Sequence, residues 1–273
     1  MTRKKPERNM FKVTRSVIPS LFTMMNLFSG FIAIKTAMID SNYVAAGWFI
    51  VLGGIFDMLD GLMARLTHSS SEFGVELDSL ADVVTFGVGP SAIIYKLFFI
   101  HYGGIGLLIG ALPAICGALR LARFNVQLVG FDKDSFRGLP IPSAAFLIVS
   151  FVSFYYLKPS PAISQETYTI AMFVVVLSAA WLMVSNIKYD SIPKFSGKAV
   201  RAHPVKFTLF ALGAIACIVT KGSAIFALFV LYILYGLIRS IVERVKRAVA
   251  ERRPFGLLDA EQLAKEEEDA FGL

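Results

Sequence analysis

Charge is what this 273-residue chain has least of. Asp, Glu, Lys and Arg make up 17% of it, against 56% hydrophobic residues, whereas soluble domains carry about 25% charged residues. That shortage excludes an ordinary soluble domain. Cysteine is nearly absent: Cys116 and Cys217 both fall in apolar blocks, which excludes a disulfide framework and a CxxC metal site. Histidine is just as scarce. His68, His101 and His203 lie in links or at the ends of apolar blocks, without the spacing a zinc centre needs. The apolar blocks show no alternation with polar residues, so a membrane β-barrel is excluded too.

What the chain does have is long apolar runs and a mean hydropathy of +0.65. A bilayer is crossed by about 20 apolar residues in a helix, so the class is an all-α polytopic integral membrane protein. The runs suggest about eight transmembrane helices, near 17–38, 43–66, 76–100, 103–124, 141–157, 168–187, 206–220 and 223–242. They divide the chain into a basic arm (1–16), a transmembrane catalytic domain (17–242) and a C-terminal tail (243–273). The arm precedes an apolar run too long for a signal peptide and has no small-residue cleavage site, so it reads as a retained cytoplasmic segment. The tail turns from basic to acidic and reads as a continuation of the last helix followed by a solvated end.

The formal net charge of +7 raises nucleic acid as a partner. The basic residues flank apolar spans instead, so the membrane surface accounts for them and no nucleic acid is expected. Eight spans put Arg3 to Arg15, Arg120 to Arg137, Lys188 to Lys206 and Arg239 to Arg253 on one side. By the positive-inside rule that side is the cytoplasm, with both termini there, and the expected location is the cell membrane.

Against this background the segment DMLDGLMARL, from Asp57 to Leu66, is unusual. It ends an apolar run with two carboxylates, and GVELDSLAD supplies two more at Asp78 and Asp82. A short link joins the two antiparallel spans, so all four acids fall at similar depth near the cytoplasmic face. Helical spacing puts Asp57, Asp60, Gly61 and Ala64 on one stripe and Asp78 and Asp82 on another. Gly61, Ala64 and Gly74 leave room for a ligand to approach the backbone. A lone membrane aspartate is often a packing residue; four at these spacings, with Gly, Ala and Arg among them, point to chemistry. Clustered carboxylates at low dielectric need counter-charge. Oxygen-only ligands favour Mg²⁺ or Mn²⁺, and two such ions suit a diphosphate and in-line phosphoryl transfer.

Written out, Asp57 to Asp82 is D-x₂-D-G-x₂-A-R-x₈-G-x₃-D-x₃-D. This resembles the signature of the CDP-alcohol phosphotransferases at every defined position. IPSLFTMMNLFSGF, LRLARFN, FRGLPIPSAA and SNIKYDSIPK resemble one branch, the membrane-embedded CDP-diacylglycerol–serine O-phosphatidyltransferases, over most of residues 10–240. Archaeal relatives acting on archaeol lipids share these motifs. The resemblance implies the CDP-alcohol phosphotransferase fold, with CDP-diacylglycerol, L-serine and membrane lipids as partners, and a homodimer. It implies Asp57, Asp60 and Asp78 as metal ligands, with Asp82 touching an ion and serving as general base toward the serine hydroxyl. Thr23, Asn26, Gly61, Ala64, Arg65 and Gly74, beside the acids Asp57, Asp60 and Asp78, match its CDP-binding positions.

Serine also brings a carboxylate and an ammonium. Arg120, Arg123 and Arg137, with Lys188, are the cations available for the first. Arg120 and Arg123 share a helix face, and snorkelling to the interface is their structural alternative. Asn125 either binds the ammonium or caps its helix. Another acceptor, such as glycerol 3-phosphate, an inositol phosphate or choline, would keep the same chemistry. A cation transporter is the competing class, but the acids sit near one face and no repeat is present. The GxxxG within GIGLLIG reads as helix packing, and Pro140 and Pro142 as a helix entry.

Overall fold

The computed structural model describes residues 10–67, 71–129, 138–187, 189 and 204–251. Among them there is no strand, and the all-helical class holds. The first two helices are α1 (Met10–Met38) and α2 (Tyr43–Thr67). Next comes one long bent rod: α3 (Glu72–Asp82), a π-helical turn Val83–Val88, α4 (Gly89–Ile94), a second π turn Tyr95–Phe99 and a 3₁₀ turn Ile100–Tyr102. The rod ends at Gly103, whose φ of 56° is open to glycine at no steric cost. The remaining helices are α5 (Gly103–Val129), α6 (Ile141–Phe151, extended by a π turn Val152–Tyr156), α7 (Gln165–Val184), α8 (Pro204–Val219) and α9 (Ala224–Glu251).

Among the described residues, four stretches are long and apolar enough to cross a membrane: Val17–Met38, Glu72–Val126, Gln165–Val184 and Ala224–Lys246. The second contains the break at Gly103. The expected count of eight crossings is therefore not established. α2 carries Asp57, Asp60 and Arg65 in its second half, and α8 has 16 residues, short of the usual span. The basic connections around Lys133 and Arg137 and from Lys194 to Arg201, together with Lys188, His68, His203, the first residues of the arm and the tail beyond Glu251, lie outside the described residues.

The packing follows from where small residues fall. α1 lies against α2, and both lean on the π turn after α3. A Cβ on Gly53 would stand 2.5 Å from Thr85 Cγ2, so only glycine lets these helices meet. Gly110, in the GxxxG stretch, brings α5 against Tyr95, where a Cβ would stand 3.0 Å from the tyrosine Cβ. The core runs through α4, α6 and α7, with Ile93, Ile94, Ile141, Ile148, Met172, Val176 and Met183 fully buried. Phe28, Phe31, Trp48, Leu107, Leu108, Trp181 and Ile218 face outward, a ring of large apolar side chains suited to lipid. α6 opens as the prolines imply: Pro140 is its N-cap and Pro142 lies in its first turn.

Candidate active site

α2 and the long third rod run side by side, joined by the short link, and their acids meet. One carboxylate oxygen each from Asp57, Asp60 and Asp78 lies within 4.8 Å of the other two. Asp82 is not part of this trio; it stands one helical turn further along, at the junction of α3 with its π turn. Single π turns inside α-helices recur at functional sites. Here the widened turn brings Thr85 inward, and its hydroxyl donates to the main-chain carbonyl of Asn26 at 2.9 Å.

α1 supplies the second half of the site. Thr23 Oγ1 donates to Asp60 Oδ2 at 2.9 Å, and Asn26 Nδ2 donates to Asp82 Oδ1 at 3.1 Å. All four residues are buried. Each hydrogen bond fixes one carboxylate oxygen. Thr23 and Asn26 thus hold acids rather than standing apart from them. The sequence pattern did not single out Thr85, Gly53 or Gly30, which pack α1, α2 and the third rod together at this point. Their contacts are long-range and leave no local signal.

Beside the trio is a recess of about 120 Å³, lined by Thr23, Asp60, Gly61, Ala64, Gly74 and Asp78, and also by Pro19, Ser20, Ser71 and Val75. Ser71 is the N-cap of α3 and accepts from the Gly74 amide at 3.0 Å. A Cβ on Gly61 would meet only the Arg65 guanidinium, at 3.5 Å. Among the described residues no packing requires glycine there, so the open space belongs to whatever the recess receives. Arg65 is exposed one turn beyond.

The trio fits a divalent cation. Three carboxylates this close repel one another without positive charge between them. Asp78 Oδ1 is buried with no hydrogen-bond partner. The donor set is oxygen only, the preference of Mg²⁺, Mn²⁺ and Ca²⁺.

The residues expected around an acceptor separate. Arg120 is 8% exposed, its Nε is buried without a hydrogen-bond partner, and it interacts electrostatically with Asp82. Arg123, one turn on, donates to the main-chain oxygens of Val184 and Ser185, both at 3.0 Å. It stops α7 and ties it to α5. Asn125 donates to Ser79 Oγ at 3.0 Å and to Glu76 Oε2 at 3.3 Å, so it bridges α5 to α3. Arg137 lies outside the described residues.

The chain is similar to known proteins over this region. The CDP-alcohol phosphatidyltransferase family model matches residues 16–184. The CDP-diacylglycerol–serine O-phosphatidyltransferase of Helicobacter pylori is 42% identical over 182 residues, covering 65% of this chain and 73% of that protein. The archaetidylserine synthase of Methanothermobacter thermautotrophicus is 38% identical over 185 residues, 66% of this chain and 73% of that protein. The Bacillus subtilis protein with the same name as the Helicobacter one is 35% identical over 181 residues, 66% of this chain and 94% of that protein. All the acids described above fall within residues 16–184, the part matched by the family model.

Proposed function

The chain belongs to the CDP-alcohol phosphatidyltransferase family, and from that premise we propose that it transfers the phosphatidyl group of CDP-diacylglycerol to the hydroxyl of L-serine, giving phosphatidylserine and CMP. The observation that carries this reading is the trio Asp57, Asp60 and Asp78 beside the Asn26-held Asp82, on a chain whose relatives are named for serine transfer.

The donor's diphosphate occupies the recess, with the backbone at Gly61 and Gly74 and the small Ala64 allowing close approach. Arg65 reaches a phosphate from the rim. Asp57, Asp60 and Asp78 would hold Mg²⁺ or Mn²⁺, with Asp82 at the edge of a set suited to two ions. Bound there, the metal would neutralise diphosphate charge and stabilise the departing CMP. Thr23 fixes the Asp60 carboxylate and Asn26 fixes Asp82, so neither acid reorganises during the reaction. Asp82 takes the proton from the serine hydroxyl through its second oxygen as the hydroxyl oxygen attacks the β-phosphorus. One P–O bond forms, the bond to CMP breaks, and CMP carries away the electron pair.

Arg120 is the cation for the acceptor's anionic end. Arg123 and Asn125 act by holding α5 to α7 and to α3, and Arg137 is a further cation proposed for the acceptor on its sequence position alone. The protein works in the cytoplasmic membrane with its site and both termini on the cytoplasmic side, as a homodimer. A transmembrane catalytic domain (17–242) lies between a basic arm and a cytoplasmic tail. Purified protein given CDP-diacylglycerol, a divalent cation and L-serine releases CMP and forms phosphatidylserine. Release only with glycerol 3-phosphate would keep the family chemistry and overturn the acceptor.

A further inference from the structure

A second cavity, of about 290 Å³, lies along the half of α2 that carries no acid. Trp48 and Val51 of α2 form one wall, Phe146 and Phe154 of α6 and its π turn another, and Ile225 and Phe229 of α9 a third. Trp48 and Val51 precede Asp57 by about 9–14 Å along the helix axis. Phe146 is the α6 wall residue nearest the acids: its ring packs on Gly54, where a Cβ would stand 2.6 Å from Cζ. The hydroxyls on the walls are those of Ser150 and Ser153, and the first is spent on the Leu147 carbonyl at 3.0 Å. Trp48 is 57% exposed on the outer face of the bundle, so the cavity is reached from the lipid side.

The end of the cavity away from the acids carries positive charge. Lys158 Nζ lies 5.9 Å from the centroid of the Phe154 ring, a cation–π distance. The same ring packs on Gly222, where a Cβ would stand 2.5 Å from Cζ. Beside it the Tyr155 hydroxyl donates to the Ser223 carbonyl at 3.3 Å. These contacts bring the turn between α8 and α9, with Lys221 in it, to the end of α6 that carries Lys158. Both lysines are exposed, and among the described residues neither is paired with an acid. Lys221 holds φ at 51°, a left-handed conformation uncommon outside glycine and asparagine. Either of those would close the turn at less cost, so a lysine there points to a use for its charge.

A hydrocarbon chain matches these walls; water, which needs about 2–4 polar partners, does not. Two cations at one end match a phosphate. A phospholipid joins both chemistries in one molecule. We propose that the cavity binds one acyl chain of an anionic membrane phospholipid, whose phosphate lies between Lys158 and Lys221. Its headgroup sits at the membrane surface opposite the acids, so it is a resident lipid, distinct from the donor. It ties α9 to α2 and α6, filling the space the three helices share.

The test is to titrate detergent-purified protein with dioleoyl phosphatidylglycerol or dioleoyl phosphatidylcholine while following its melting temperature. Wild-type protein is compared with Val51→Phe, which fills the cavity, and with Lys158→Gln/Lys221→Asn, which removes the charge and suits the left-handed turn. Phosphatidylglycerol raises the wild-type melting temperature by about 5 °C or more and saturates at a lower mole fraction than phosphatidylcholine. The double lysine variant needs at least about tenfold more phosphatidylglycerol and no longer separates the two lipids. Val51→Phe responds to neither, and both variants keep the wild-type KM for CDP-diacylglycerol. Equal wild-type responses to the two lipids overturn the proposal. So does a wild-type titration in either variant. A raised donor KM in Val51→Phe would give the cavity to the donor's own chain and overturn it too. Should Val51→Phe fail to fold, the lysine variant decides alone. The melting readout holds whichever alcohol the protein accepts, so it separates this proposal from the serine reading.

Discussion

Two glycines on the same helix respond oppositely to alanine. A methyl at Gly53 would lie 2.5 Å from Thr85 Cγ2 and 2.9 Å from Asn26 Oδ1. Neither can retreat: Thr85 is bonded to the Asn26 carbonyl, and Asn26 to Asp82. Overpacking of this kind costs about 1–3 kcal/mol. Alanine returns about 0.5–1 kcal/mol of helix propensity, leaving Gly53→Ala less stable by up to about 2.5 kcal/mol. In a chain of this size that lowers the melting temperature by up to about 10 °C. Because the displaced atoms hold Asp82, kcat falls as well. Gly61→Ala keeps the propensity gain and meets only a flexible guanidinium at 3.5 Å. Its melting temperature rises by about 1–4 °C, but the methyl enters the recess, and the KM for CDP-diacylglycerol rises at least about fivefold. Thermal unfolding in detergent and initial-rate kinetics read both effects. Equal destabilisation by the two substitutions, or an unmoved donor KM in Gly61→Ala, would refute the assignment of the open space to the donor.

Other consequences follow from the same contacts. Asp82→Asn lowers kcat by about 10²–10⁴-fold, the usual worth of a general base, while CDP-diacylglycerol binding measured by calorimetry persists; normal turnover would remove Asp82 from that role. Thr23→Val strips the hydrogen bond from Asp60 and raises the metal concentration for half-maximal activity about tenfold or more. A metal titration unchanged by that substitution would mean that Asp60 is not a ligand. Arg123→Ala breaks two bonds to the end of α7, together about 1–3 kcal/mol, and lowers the melting temperature by about 2–12 °C, moving the KM values for serine and donor together. A rise in the serine KM alone would instead put Arg123 in direct contact with the acceptor.

The acids are legible because their spacing is local. Three- and four-residue intervals on two helices joined by a short link are enough to place Asp57, Asp60, Asp78 and Asp82 near one another. The all-helical class is legible from the apolar runs. The number of crossings is not, since α2 mixes a span with charged site residues and α8 is short. What each polar residue is bonded to is hidden as well. Arg120 and Arg123 share a face and a chemistry, yet one keeps a buried N–H without a partner and the other ends a helix 61 residues away. Thr85 gains its meaning from a π turn that composition does not announce.

The most direct test of the central claim is CMP release by detergent-purified protein given CDP-diacylglycerol and Mg²⁺ or Mn²⁺. L-serine, glycerol 3-phosphate, an inositol phosphate and choline are supplied separately and each lipid product is identified by mass. The account predicts release with L-serine, phosphatidylserine as the product, and loss of both on chelation of the metal. Release with another acceptor alone would contradict the serine assignment, and no release with any of them would contradict the aspartate mechanism itself.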